Sequence, residues 1–164
     1  MPILARLPNR ALAALVALVV VGVDVASKDW ALNRLPGDPI NIIDGFVRFA
    51  LARNPGASFS SFQGSGSIIG LLAIGVAIYI AKMAGEMGHR MEVVGLGIIL
   101  GGALGNLVDR VFRGAGLLDG AVVDFIDFSF FPTFNLADTF LWVGVGTLVI
   151  GGWLAHRRAE PEDE

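Results

Sequence analysis

The sequence predicts an α-helical polytopic membrane protein: four transmembrane helices with a small extramembrane β-sheet on the outer face. Three observations predict it. Of the 164 residues, 54% are hydrophobic and only 16% are charged, against about 25% charged in soluble domains. The mean hydropathy is +0.69 and the apolar residues come in blocks, so the chain fills a bilayer rather than building one water-soluble core. Four blocks, at about 11–32, 67–83, 91–108 and 136–155, approach with their flanks the roughly 20 residues that a spanning helix needs.

The first block follows Arg6 and Arg10, a pattern that raises the possibility of a signal peptide. The helical pattern continues past any cleavage site, and Asp24 and Lys28 make a poor cleavage region. A retained first helix is therefore expected. The next stretch is polar. Asp44-Gly45 between two β-prone runs signals a hairpin, and Asn54-Pro55-Gly56 signals a turn. A small sheet is expected over about 40–62. The second and third helices are joined by a short charged loop at 84–90. In the third, Gly97, Gly101 and Gly105 repeat at four-residue spacing, which lets helix backbones approach closely in lipid. Residues 1–155 read as one membrane domain, followed by a cytoplasmic acidic tail, 156–164.

Net charge is −3, but residues 160–164 alone carry four carboxylates, so the body is about neutral. No basic tract of the kind that follows a phosphate backbone occurs, and no nucleic-acid partner is expected. The absence of cysteine excludes disulfides, a thiol nucleophile and thiolate metal sites; it also means that the chain carries no lipid-modified cysteine of its own. His89 and His156 lie far apart in polar flanks, and neither a metal nor a cofactor is expected. Arg6, Arg10, Lys82, Arg90, Arg157 and Arg158 sit in short flanks on one side of the threaded helices. Lys28, Arg34, Arg48, Arg53, Arg110 and Arg113 spread over longer loops on the other. The counts are equal, but position in short flanks favours both termini cytoplasmic.

The unusual chemistry lies in residues 101–139, which hold Asp109, Asp119, Asp124, Asp127 and Asp138 beside hydrocarbon. Ionisable groups at bilayer depth need partners or a task. Alternate threading gathers Asp24, Lys28, Asn54, Asn106, Asp109, Arg110, Asp124, Asn135 and Asp138 at the outer face. Asp24 and Lys28 are four apart in the favourable order, and Asn106, Asp109 and Arg110 share a helix face. Helix-end ion pairs explain these as well as a direct role does. Asp124 and Asp138 differ, because no lysine or arginine occurs between Arg113 and Arg157. Two carboxylates brought together near hydrocarbon do not both ionise easily, so one keeps a proton. Such a pair can deprotonate a water for attack on a peptide carbonyl and protonate the leaving nitrogen, and it titrates as a unit. A cation site or proton relay would want the same two residues. A small four-helix proton or cation transporter subunit is thus the alternative, and it would line polar residues through the membrane depth. No credible Ser-His pair or phosphate-cradling glycine loop is present.

Five motifs then occur in order: AspValAlaSerLys (24–28), AsnProGlyAlaSerPhe (54–59), GlyGlyAlaLeuGlyAsnLeuValAspArg (101–110), ValValAspPhe (122–125) and PheAsnLeuAlaAsp (134–138). Together they resemble the motif set of lipoprotein signal peptidase (signal peptidase II), collinearly over about residues 20–145. The resemblance implies an aspartic endopeptidase of the bacterial plasma membrane. Such an enzyme removes the signal peptide from diacylglyceryl-modified prolipoproteins, cutting before the lipidated cysteine at the outer face. It implies Asp124 and Asp138 as the catalytic pair, with Asp24, Lys28, Asn54, Gly56, Asn106, Asp109, Arg110, Asn135 and Ala137 binding substrate or supporting the site. It also implies a β-sheet cradle, membrane lipid as surroundings and a monomer. The stretch from Arg110 to Asp124 is longer than the family pattern, with an added Asp119, and Asp127 is a decoy beside Asp124. The phenylalanines at 125, 128, 130, 131 and 134 are expected to anchor this loop at headgroup level.

Overall fold

The computed structural model describes residues 7–56 and 66–159. It has four helices, α1 (Asn9–Arg34), α2 (Gly66–Met83), α3 (Arg90–Phe112) and α4 (Leu136–Ala159). Strands β1 (Ile40–Ile43) and β2 (Val47–Asn54) lie between the first two helices, and β3 (Val122–Phe128) and β4 (Phe131–Phe134) between the last two. Among the described residues, α1, α3 and residues Leu136–Arg157 of α4 are long and apolar enough to cross a membrane, while α2 contributes a shorter apolar stretch, Gly70–Met83.

The helices run alternately up and down, with α3 touching all three others. Asn9 Nδ2 donates to Met87 O at 2.8 Å at one end, while Arg113 meets Asp29 at 2.9 Å at the other. The glycine spacing does what close helix packing requires. A Cβ added at Gly97, Gly101 or Gly105 would lie 2.9 Å from Ala13 O, 2.5 Å from Val20 Cβ and 2.5 Å from Asp24 Oδ2, respectively. The α1 and α3 backbones therefore meet along one stripe that no side chain could occupy. Away from the sheet the core is wholly apolar, with Leu12, Ala17, Ile80, Val93 and Leu96 among its buried members. His89 caps α3, accepting from Met91 N at 3.3 Å while the Glu92 carboxylate accepts from His89 N.

The sheet is antiparallel in the order β1-β2-β3-β4. Asp44-Gly45 forms the expected hairpin turn, with Gly45 at φ +72°, where an L side chain is strained. Residues 57–62 of the expected sheet region lie outside the described residues. Two corrections concern the chain between α3 and α4. The stretch 122–134, expected as a loop, supplies half of the sheet, because β3 pairs with the distant β2 from Val47↔Phe128 to Asn54↔Val122. Phe125, expected at headgroup level, is instead buried with Ala31 and Leu35 beneath the sheet. Its ring meets Trp30 and Phe49 edge-on and tilted, at centroid distances of 6.0 and 6.2 Å.

Two helix ends also run past their expected limits. Arg113 N donates to Asp109 O at 2.8 Å, carrying α3 beyond 108. The α4 helix continues through Ala159, with Arg157 stacked over Trp153 at 4.3 Å, so the 156 boundary falls inside a helix. Residues 160–164 lie outside the described residues. The 113–121 loop is tied to the start of α2. Ser67 Oγ donates to Leu117 O at 2.7 Å, and Leu118 is buried against Gly70.

Candidate active site

At the sheet end of the bundle, five elements bring polar side chains to one point. Asp124 enters from β3 and is 3% exposed. Asn54, the last residue of β2, donates to its Oδ2 at 3.1 Å, and Asn135 donates to its Oδ1 at 2.6 Å. Asn54 is itself fixed by the turn after it, where Gly56 N donates to Asn54 Oδ1 at 3.1 Å.

Asp138 lies in the first turn of α4, and its position follows from how that helix starts. Asn135 Oδ1 accepts from Asp138 N at 3.1 Å, while Asp138 Oδ2 accepts from Asn135 N at 3.3 Å. This reciprocal cap is of the capping-box type. The other oxygen, Oδ1, accepts from Asn106 Nδ2 of α3 at 2.9 Å. Asn135 therefore links both carboxylates, one through its side-chain amide and the other through its backbone.

Beneath this pair lies a buried ion triad. Lys28 Nζ sits 2.8 Å from Asp24 and 3.0 Å from Asp109, and all three side chains are 0% exposed. A buried ion pair is sustained when the carboxylates' other lone pairs are also hydrogen-bonded, and here two of those bonds hold backbone. Asp24 Oδ1 accepts from Ala137 N at 2.9 Å, next to Asp138. Asp109 Oδ2 accepts from Val123 N at 3.1 Å, next to Asp124, and Asp109 Oδ1 takes Arg113 Nε at 2.6 Å. Lys28 also donates to Asn106 Oδ1 at 3.0 Å, which turns the Asn106 amide nitrogen toward Asp138. Lys28 thus fixes both carboxylate carriers through three separate contacts. Arg110 Nη2 donates to Gly56 O at 2.8 Å, tying α3 to the Asn54 turn.

Burial pushes the Asp124 carboxyl up from 3.8 to about 6, and the neighbouring Asp138 charge adds to the rise. The amides of Asn135 and Asn54 and the more distant Lys28 charge hold it partly back. Two cavities meet at the carboxylates. One, of about 690 Å³, runs between β3, β4 and α4 past Phe130, Phe131, Phe134 and Trp142. The other, of about 360 Å³, runs between α2 and α3 past Leu72, Val76, Ile99 and Leu107. Asn54, Asp124, Asp138 and Leu141 line both.

A family model described as signal peptidase (SPase) II matches residues 16–154. The chain belongs to the signal peptidase II family. Among curated relatives, the lipoprotein signal peptidase of Rhodococcus jostii is 40% identical over 143 residues, covering 87% of this chain and 72% of that one. That of Mycobacterium tuberculosis strain H37Rv is 44% identical over 136 residues, covering 82% and 67%. Two solved structures of bacterial membrane enzymes superpose on this one. The first has a TM-score of 0.77 at 28% identity and covers 94% of both chains. The second has a TM-score of 0.71 at 30% identity and covers 85% of this chain and 91% of the other. This signal peptidase II family member is accordingly a multi-pass membrane protease.

The fold brings the eleven residues singled out from the sequence to one place. Asp24, Lys28, Asn54, Gly56, Asn106, Asp109, Arg110, Asp124, Asn135, Ala137 and Asp138 all make or accept contacts within the one cluster or line its cavities. Asp127 lies apart from it, paired with Arg48 on β2 and accepting from Thr133 Oγ1 at 3.3 Å. Asp119 is also apart, bracing its own loop by accepting from Gly116 N at 2.9 Å. Sequence reasoning missed the Lys28–Asp109 pair, for which the sole signal is two opposite charges in segments threaded to the same face. It also missed Leu141 and Trp142, which nothing distinguishes from other lipid-compatible residues.

Proposed function

We propose that this protein is a membrane aspartic endopeptidase that removes the signal peptide from diacylglyceryl-modified prolipoproteins, cleaving just before the lipidated cysteine. The observation that carries the reading is the linkage of Asp124 and Asp138 through Asn135 and Asn106 where two apolar cavities meet. The pair shares one proton. Its ionised member takes a proton from a water whose oxygen attacks the scissile carbonyl carbon. The protonated member donates to the carbonyl oxygen, giving a neutral tetrahedral gem-diol, and the pair again holds one proton. Collapse then breaks the C–N bond. The protonated member gives its proton to the leaving nitrogen while the ionised member takes one from a gem-diol hydroxyl. A carboxylic acid and an amine are released, and the pair again holds one proton. The raised Asp124 pKa suits this task, because a shared proton is retained close to neutral pH.

The same reading puts both termini in the cytoplasm and the dyad at the outer face, where the scissile bond of a lipid-anchored precursor lies. Residues 1–155 act as one membrane domain, working as a monomer in contact with membrane lipid. A proton or cation pathway finds no support in the described residues. The polar cluster ends at Asp24 and Gly105, and the core beyond it is apolar. Mass analysis of products from purified protein tests the function. Lipidated precursor should be cut immediately before the modified cysteine and the unlipidated precursor left intact. Cleavage elsewhere, or of both precursors equally, would overturn the assignment.

A further inference from the structure

Arg110 is the cation of the site whose hydrogen-bonding capacity is incompletely used. Its side chain is buried, with 5% of the residue exposed. Nη2 donates to Gly56 O at 2.8 Å, but Nη1 has no hydrogen-bond partner among the described residues. No carboxylate lies within ion-pair distance of it among those residues either. A buried charged donor left unsatisfied is costly and calls for an explanation. Arg110 lines the cleft of about 360 Å³ between α2 and α3, which is polar at its dyad end, at Asn54, Asn106, Asp124 and Asp138, and hydrocarbon along Leu72, Val76, Ile99 and Leu107. The occupant that satisfies both features is a hydrocarbon chain carrying one oxygen acceptor near the dyad.

We propose that this cleft receives an acyl chain of the substrate's diacylglyceryl group, with Arg110 Nη1 donating to its ester carbonyl. The inference rests on the prolipoprotein reading above and adds where the lipid goes. Size separates the two apolar parts of the substrate. A helix with its side chains is about 10 Å across, so about 360 Å³ would hold less than one turn of a signal-peptide helix, whereas one alkyl chain is narrow enough to lie along it. The larger, aromatic-lined cavity by α4 is left for the peptide side. With Asp124 and Asp138 lining both cavities, the scissile bond falls between lipid and signal peptide, as its chemistry requires.

The test compares two synthetic prolipoprotein substrates that differ only at the glycerol: one with two acyl esters, the other with two alkyl ethers of equal length. The ether lacks the carbonyl that Nη1 would meet. Wild type should lose on the order of ten- to a hundredfold in kcat/KM on the ether substrate, the range expected for one charge-assisted hydrogen bond. Arg110→Gln should cleave ester and ether substrates at equal, lowered efficiency. If wild type cleaves both within about twofold, or Arg110→Gln keeps the full ester preference, the proposal is wrong and the donor serves another group such as a peptide carbonyl. The wild-type comparison decides even if Arg110→Gln fails to fold, because the change lies in the substrate. Failure of wild type to cleave the diester substrate at all would instead sink the peptidase reading.

Discussion

Replacing Asp124 by asparagine should make the protein more stable at neutral pH while abolishing turnover. Asp124 is 3% exposed, and burial followed by the Asp138 charge lifts its pKa from 3.8 to about 6. That rise corresponds to about 3 kcal/mol. Between pH 3.8 and about 6 the folded protein holds a proton that the unfolded chain has released. Stability contributed by this group therefore falls as pH rises through that window, is fully lost above about 6, and is unaffected below 3.8. Asparagine removes the ionisation, but Asn54 and Asn135 both donate to Asp124. An amide must turn its own NH₂ toward one of those donors, at about 1 kcal/mol. The net gain at pH 7.5 is about 2 kcal/mol, or roughly 4–8 °C in Tm for a chain of this size. Near pH 4 the sign reverses, and the variant should be slightly the less stable. Thermal unfolding in one detergent at one scan rate, from pH 4 to 7.5, measures this directly, with the fixed rate guarding against irreversible unfolding. A variant less stable than wild type at pH 7.5, or a difference that does not change with pH, would refute the reasoning.

Three other outcomes follow from the same geometry. Lys28→Met leaves the two fully buried carboxylates Asp24 and Asp109 facing each other, and should lose about 3–5 kcal/mol of stability; a thermal-shift comparison should show part of it recovered when Asp109→Asn is added. Asp127→Asn breaks an ion pair with a half-exposed Arg48, a type worth little, and should leave turnover within about twofold in a steady-state assay. The pH profile of kcat/KM should fall about tenfold per pH unit above about 6, as the last proton leaves the pair; a flat profile from pH 6 to 8 would contradict the shared-proton account.

What was legible in the sequence was short-range. Hydropathy places the helices because a bilayer sorts apolar residues in blocks of about 20. The Asp24–Lys28 pair and the Gly97–Gly101–Gly105 stripe are visible because helical spacing puts each set on one face. The Asp44-Gly45 turn is likewise a local signal. What was not legible depends on partners far along the chain. The stretch 122–134 becomes β3 and β4 only because β2, some 70 residues earlier, offers an edge, and without that edge its phenylalanines read as interface anchors. Lys28 chooses Asp109 as well as Asp24, across 81 positions that no periodicity connects. The asparagine network is illegible for the same reason, except for Asn135 and Asp138, whose three-residue spacing at a helix start is a capping signature.

The central claim is that Asp124 and Asp138 together perform the hydrolysis. Its most direct test is the single-turnover cleavage of a diacylglyceryl-modified prolipoprotein by wild type, Asp124→Asn and Asp138→Asn, each shown to be folded by its unfolding transition. Each variant should lose at least about a thousandfold in rate with substrate still bound, as expected when either member of a unit that acts together is removed. A folded variant of either residue that keeps a tenth or more of the wild-type rate would contradict it.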